Sequence, residues 1–181
     1  NTMKKLLIFT ITAAMLLSLV ACAQSAKPDA SLDTPAQEQT VSGSTQIPNP
    51  WESYDTADAA ANAAGFTLTA PEAISGSSAK TYQVMNSGDG EVIFEILFET
   101  GADGEHAAYI HKAPGADDIS GDYNDYAETE TLDVNSRSVT MKGNDGLVNL
   151  ALWTDGGYSY VLNVSEGLSR SDIAALVAEI Q

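Results

Sequence analysis

The sequence predicts an α+β fold: an antiparallel β-meander of about six to eight strands, with a short N-terminal helix and a C-terminal helix packed on the sheet. Three observations carry that expectation. Residues 91–99 alternate, with Val92, Phe94, Ile96 and Phe98 on one side and Glu91, Glu95 and Glu99 on the other, the period of a half-buried strand. Turn sequences rich in Gly, Asn and Asp recur between such stretches, at 86–90, 101–104, 143–146 and 155–157. Hairpins in series give antiparallel neighbours, because parallel ones need long crossovers. Residues 169–181 then switch to helical spacing, with Ile173, Leu176, Val177 and Ile180 in one apolar stripe.

Taken in order, the chain begins with an export pattern. Asn1 and Thr2 read as upstream residue, since Met3-Lys4-Lys5 is a normal export start. Lys4 and Lys5 form a positive region, and residues 6–20 form an apolar run shorter than the about 20 residues a spanning helix needs. The run closes on Leu19-Val20-Ala21-Cys22, the pattern of a bacterial lipobox, and Cys22 is the single cysteine of the chain. The expectation is a lipoprotein signal peptide over 1–21, a lipidated Cys22 with a flexible linker over 22–46, and one extracytoplasmic α+β domain over 47–181. An uncleaved membrane anchor is the alternative. Two acyl chains on Cys22 suffice for stable anchoring. Localisation is therefore expected at the cell membrane, lipid-anchored, on its extracytoplasmic face. Once Cys22 is modified no thiol remains, which excludes an intrachain disulfide and a cysteine-ligated zinc site.

Charge narrows the partners. The 181 residues carry a formal net charge of −17, with 8 basic and 25 acidic side chains. Nucleic acid, whose phosphates demand Lys and Arg, is not an expected partner. Anionic head groups are repelled as well, so the lipid must do the anchoring. The expected partners are the membrane, through Cys22, and an extracellular or envelope ligand.

Residues 23–46 contain Ser, Thr, Gln, Ala and Pro with no apolar periodicity, too little to offset ordering entropy, and read as a tether. Pro48, Pro50 and Trp51 mark the domain edge. Residues 56–64 are alanine-rich, with Asp55 or Thr56 as N-cap and Gly65 as the stop of a first helix. Strands are expected at 66–70, 80–85, 91–99, 105–112, 131–134, 137–142, 147–154 and 158–164, with an irregular acidic loop over 114–126. Ser169 and Asp172 pair as a cap for the closing helix.

Several motifs look familiar together: Asn49-Pro50-Trp51, Ala63-Ala64-Gly65-Phe66, Pro71-Glu72, Ile119-Ser120-Gly121-Asp122-Tyr123, Lys142-Gly143, and the hairpin Trp153-Thr154-Asp155-Gly156-Gly157-Tyr158-Ser159-Tyr160. They resemble a family of uncharacterised Gram-positive lipoproteins whose extracytoplasmic domain of unknown function also occurs in anti-sigma-factor-like membrane proteins. The resemblance spans roughly residues 49–180. It implies location and fold class, and it carries no catalytic residue.

Candidate chemistry is sparse. Ser77-Ser78-Ala79-Lys80 matches the S-x-x-K nucleophile pattern, which needs Ser and Lys one helical turn apart, but neither an S-D-N nor a K-T-G partner occurs; a loop is expected. His106 and His111 lie five apart on one strand, hence on opposite faces, and a general base would need a partner that the sequence does not place. Glu95 and Glu99 are about 13 Å apart along a strand, beyond the roughly 5–9.5 Å of glycosidase pairs. Asp117, Asp118, Asp122 and Asp125 crowd the acidic loop. Without EF-hand spacing they read as a solvated loop, with calcium as the alternative. Trp51, Trp153, Tyr158 and Tyr160 are possible ligand-binding residues, with core and cross-strand pairing as the other reading. No metal site, cofactor or enzymatic activity is expected. The functional expectation is a membrane-anchored binding or sensory module. A carrier of an acyl or other apolar ligand is the alternative, suggested by Ile93 and Leu97 on the acidic side of the best strand, and a cell-wall enzyme ranks below both.

Overall fold

The structure, a computed structural model, describes residues 49–88, 90–101 and 105–181. The signal peptide, Cys22, the linker and the domain boundary at residue 47 lie outside the described residues, as do Asp89 and residues 102–104 of two turns.

Ten elements follow one another: β1 (Trp51–Tyr54), α1 (Ala57–Ala64), β2 (Lys80–Asn86), β3 (Val92–Glu99), β4 (His106–Pro114), β5 (Glu128–Val134), β6 (Arg137–Asn144), β7 (Leu147–Asp155), β8 (Tyr158–Leu168) and α2 (Arg170–Glu179). The eight strands form one sheet in the order β1-β2-β3-β4-β8-β7-β6-β5, with every neighbouring pair antiparallel. The α+β architecture is thus as expected. Its meander consists of two four-stranded meanders meeting at β4 and β8. The chain leaves β4 at the middle of the sheet and re-enters at β5 on the far edge, so the acidic loop joins two strands that are not neighbours.

Local chemistry sets the element ends. Thr56 is the N-cap of α1, its hydroxyl accepting from Ala59 N at 3.1 Å, and Gly65 ends the helix at φ +84°, a conformation open to glycine. Ser169 caps α2, accepting from Asp172 N and donating to its carboxylate at 2.6 Å. The α2 C-terminus is closed by Arg137, which donates to the Val177 and Ile180 carbonyls at 2.9 and 3.1 Å while pairing with Asp155. Those carbonyls have no partner within the helix, so a cation there also favours the helix dipole. At Gly143 an added Cβ would stand 1.8 Å from the Leu147 carbonyl oxygen, so no side chain fits where β7 closes on β6.

Two expectations are corrected. The strand at 66–70 is absent from the sheet. That segment bends at Phe66 and then pairs at Thr69 with Gln181, the two exchanging backbone bonds. Conversely, Trp51–Tyr54 forms an edge strand that the sequence reading took only as an entry point. Four residues without apolar alternation give no periodic signal, and the pairing comes entirely from β2.

Both helices lie on one face. Phe94, Ile96 and Phe98 of β3, Ile110 of β4, Leu162 and Val164 of β8 and Val139 and Met141 of β6 form the main core with Ala60 of α1 and Ile173, Val177 and Ile180 of the closing segment. The expected α2 stripe holds at three positions with full burial, while Leu176 is only half-buried. A smaller apolar cluster of Ile93, Ala113, Ile119, Leu150 and Val161 lies on the opposite face.

Candidate functional site

The opposite face is where the irregular loop becomes informative. Residues 115–127 cross β4, β8 and β7 as a strap, and side chains of the sheet pin it. Tyr109 donates to the Ser120 carbonyl at 3.0 Å, Ser159 to the Gly115 carbonyl at 3.2 Å, and Asn163 to Asp122 at 3.3 Å. Tyr126 closes on Asp122 at 2.5 Å from within the strap. Ile119 supplies the apolar contact below.

At the centre of this layer lies a buried acid–histidine pair. Glu95 and His111 are 8 % and 6 % exposed. His111 Nε2 meets Glu95 Oε2 at 2.7 Å, and Nδ1 meets the Ile119 carbonyl at 2.9 Å. A carbonyl can only accept, so Nδ1 carries a proton. The ring is stacked on Tyr109 at 4.5 Å and tilted against Trp51 at 5.7 Å. The arrangement has the acid and imidazole of a nucleophile-activating set, yet a backbone carbonyl stands where a nucleophile would. Chemically it is a lock that fixes the strap.

This pair is the feature the sequence reading missed. The β3–β4 ladder pairs Glu99 with His106, then shifts by one residue and pairs Glu95 with His111. Without that bulge the same register would set Glu95 opposite Ile110. The shift also corrects the expectation of opposite faces for the two histidines, since His106, opposite Glu99, brings its ring to 6.1 Å from Tyr109. A period-two argument cannot see an extra residue in one strand. The only sequence signal was an acid between two apolar residues, Phe94 and Ile96, and a histidine beside Ile110.

Electrostatics follow the same packing. Burial would raise the Asp122 carboxyl, but hydrogen bonds from Tyr126 and Asn124 and the charge of Lys142 outweigh it and hold the group below the usual carboxylate range. Burial, together with the bond to Asp122, pushes the Tyr126 phenol up to about 12. Tyr109 is raised too, chiefly by burial and then by the charge of Asp122.

Beside the strap an open cleft of about 320 Å³ is lined by Asp117 and Asp118 of the loop, Ser138 and Thr140 of β6, Leu152 and Thr154 of β7, and Ser159 and Val161 of β8. Hydroxyls and two carboxylates surround an apolar floor. Trp153 and Tyr160 also border it, but their rings belong to the helix-facing core, 4 % and 6 % exposed, stacked at 5.3 Å. The Trp153 Nε1 is buried, with no hydrogen-bond partner among the described residues. Tyr158 and Tyr160 face Lys112, whose ammonium lies 4.6 and 5.1 Å from their centroids and donates to the Thr67 carbonyl at 2.7 Å. Burial lowers the Lys112 pKa, against a smaller upward pull from Asp155. The four aromatic candidates are therefore split: Trp51 serves the strap side, and the other three the helix side, Tyr158 and Tyr160 against Lys112 and Trp153 stacked on Tyr160.

The remaining candidates are also placed. Ser77 sits in a tight β-bridge with Ile74 and donates to the Glu99 carbonyl, and Lys80 opens β2, so S-x-x-K is not on a helical turn. Glu99 accepts from Thr81 at 2.8 Å. Asp118 accepts from the Ser120 amide, and Asp122 is engaged by three residues, so both serve the strap's own shape. Among the described residues no group of three or more His, Cys, Asp or Glu side chains is placed to hold a metal ion, and Asp117, Asp118, Asp122 and Asp125 do not converge on one. Among them, too, no helix is long and apolar enough to cross a membrane.

No family model, curated protein or solved structure matches the chain.

Proposed function

We propose that the chain is a lipid-anchored extracytoplasmic binding module whose ligand occupies the cleft beside the strap. The observation that supports this reading is the cleft itself: hydroxyls and carboxylates over an apolar floor of Leu152 and Val161, on a scaffold already fixed by the Glu95–His111 lock. Small-ligand sites combine a largely preformed hollow, apolar lining and a few placed polar groups. The lipobox at Leu19-Val20-Ala21-Cys22 and the resemblance to Gram-positive lipoproteins support a surface location. An apolar carrier fits less well, since Ile119 of the chain itself covers Ile93 and its neighbours. A wall enzyme acting through Glu95 and Glu99 has both carboxylates engaged, with His111 and Thr81.

Two measurements test the proposal. Cys22→Ala should abolish incorporation of labelled fatty acid, and undiminished label removes the anchor. A photo-crosslinking residue at Thr154, inside the cleft, should capture an envelope component on intact cells that the same residue at the exposed Asp145 does not. Equal capture at both positions argues against a ligand in this cleft.

A further inference from the structure

A second cleft, of about 350 Å³, lies on the helix-covered side between α1 and residues 67–70. Its floor is apolar, from Ala61, Leu68, Tyr82 and Ile96. Two opposite charges line it: Asp58 from the first turn of α1 and Lys80 from the start of β2. Among the described residues neither is in an ion pair, and the Lys80 ammonium rests over the Phe98 ring, 5.3 Å from its centroid.

The wall beside these charges is the chain at Thr67, Leu68, Thr69 and Ala70. Thr69 bonds Gln181 through both its amide and its carbonyl, and Thr67 gives its carbonyl to Lys112. Those bonds fix the segment along one edge. In extended chain the groups of alternate residues point to the other edge, and there Leu68 and Ala70 make no backbone hydrogen bond among the described residues. Main-chain groups left unpaired by protein along a cleft edge can take up the main chain of an extended ligand.

We propose that this cleft binds a short free peptide in extended form, with its carboxylate on Lys80, its ammonium toward Asp58 and its main chain along Leu68 and Ala70. Three features select that class. The two charges match a zwitterion, and hydrogen bonds to ionised groups are about twice as strong as neutral ones. The open edge matches strand addition, in which main-chain bonds supply affinity and pockets between them take side chains. A zwitterion has no net charge, so a chain at −17 does not repel it as it would an anion. The volume lies within the about 300–1,000 Å³ of small-ligand sites. This site is separate from the cleft beside the strap and stands or falls independently of it.

The test is a titration of the isotope-labelled full chain with trialanine, read by NMR at the methyls of Leu68 and Ile96. Saturable shifts are expected there, with binding at least about tenfold weaker for the C-terminal amide of the same tripeptide. In Lys80→Met, which keeps the stem over Phe98, acid and amide should bind alike at the weaker level. Asp58→Asn should erase the preference for the free amine over the N-acetyl peptide. Lack of saturable shifts at Leu68 and Ile96 overturns the proposal. So do shifts confined to Leu152 and Val161, or equal affinity of acid and amide for the unaltered chain. The acid–amide comparison needs no variant, so a substitution that disturbs folding leaves the test intact.

Discussion

The two faces of the sheet are covered by different physics. Beneath the helices, Phe94, Phe98, Ile110, Leu162 and Ile173 are fully buried, and apolar area removed from water holds the layer at about 25 cal/mol per Å². Beneath the strap the cluster among the described residues is five buried side chains, and the cover is held by directional bonds from Tyr109, His111, Ser159 and Asn163. Apolar packing tolerates a change of partner with similar volume. A polar lock does not, because removing one member leaves the other unsatisfied in a dry layer. The first face makes the domain stable, and the second makes one loop conformation specific.

The sharpest way to break that contrast is His111→Leu. It strands the Glu95 carboxylate, and removing one partner of a buried pair costs about 3–5 kcal/mol. Glu95→Leu with His111→Leu should recover most of the loss, since an apolar pair of similar volume is often neutral or stabilising. Urea midpoints of the single and double variants decide this; an unrecovered double variant would make the ring's packing on Tyr109, and not the charge, the main term.

On the helix side Ile173→Ala should cost about 2–5 kcal/mol, as for a fully buried aliphatic side chain. Leu176→Ala, on the same stripe but half-buried, should cost about 1 kcal/mol. Thermal denaturation that ranks the two in reverse would mean α2 is rotated on the sheet.

Alkaline titration probes the strap. The folded phenol of Tyr126 is raised to about 12, above the value near 10 of an unfolded tyrosine. Its contribution is therefore fully present below about pH 10 and is lost as pH rises toward 12. Tyr126→Phe should flatten that loss without removing it, because Tyr109 and Tyr160 are also raised by burial. Identical alkaline slopes for the two proteins would show that Tyr126 does not hold Asp122. The smallest effect is expected at Tyr123, 97 % exposed at the strap's apex, where Tyr123→Ala should shift stability by no more than about 0.5 kcal/mol.

Sequence periodicity was most legible where one face is apolar and the other wet. The alternation at 91–99 placed Phe94, Ile96 and Phe98 in the core, and Thr56, Gly65 and Ser169 marked helix ends because capping is decided by the nearest residues. It failed where a partner distant in sequence makes the decision. Residues 66–70 alternate like a strand, yet their backbone partner is Gln181, far along the chain. Trp51–Tyr54 shows no alternation and is a strand because β2 offers an open edge.

What the sequence by itself determined is the seven strands from β2 to β8, both helices and the antiparallel class, since propensity, turn residues and caps act locally. Only the tertiary structure decided the order of strands, the path of residues 115–127 across the second face, and the meeting of Glu95 with His111. The last depends on one extra residue in β4 near Ala107. A one-residue shift of register reverses which face a side chain occupies, and its free energy is set by everything the sheet then buries on each side.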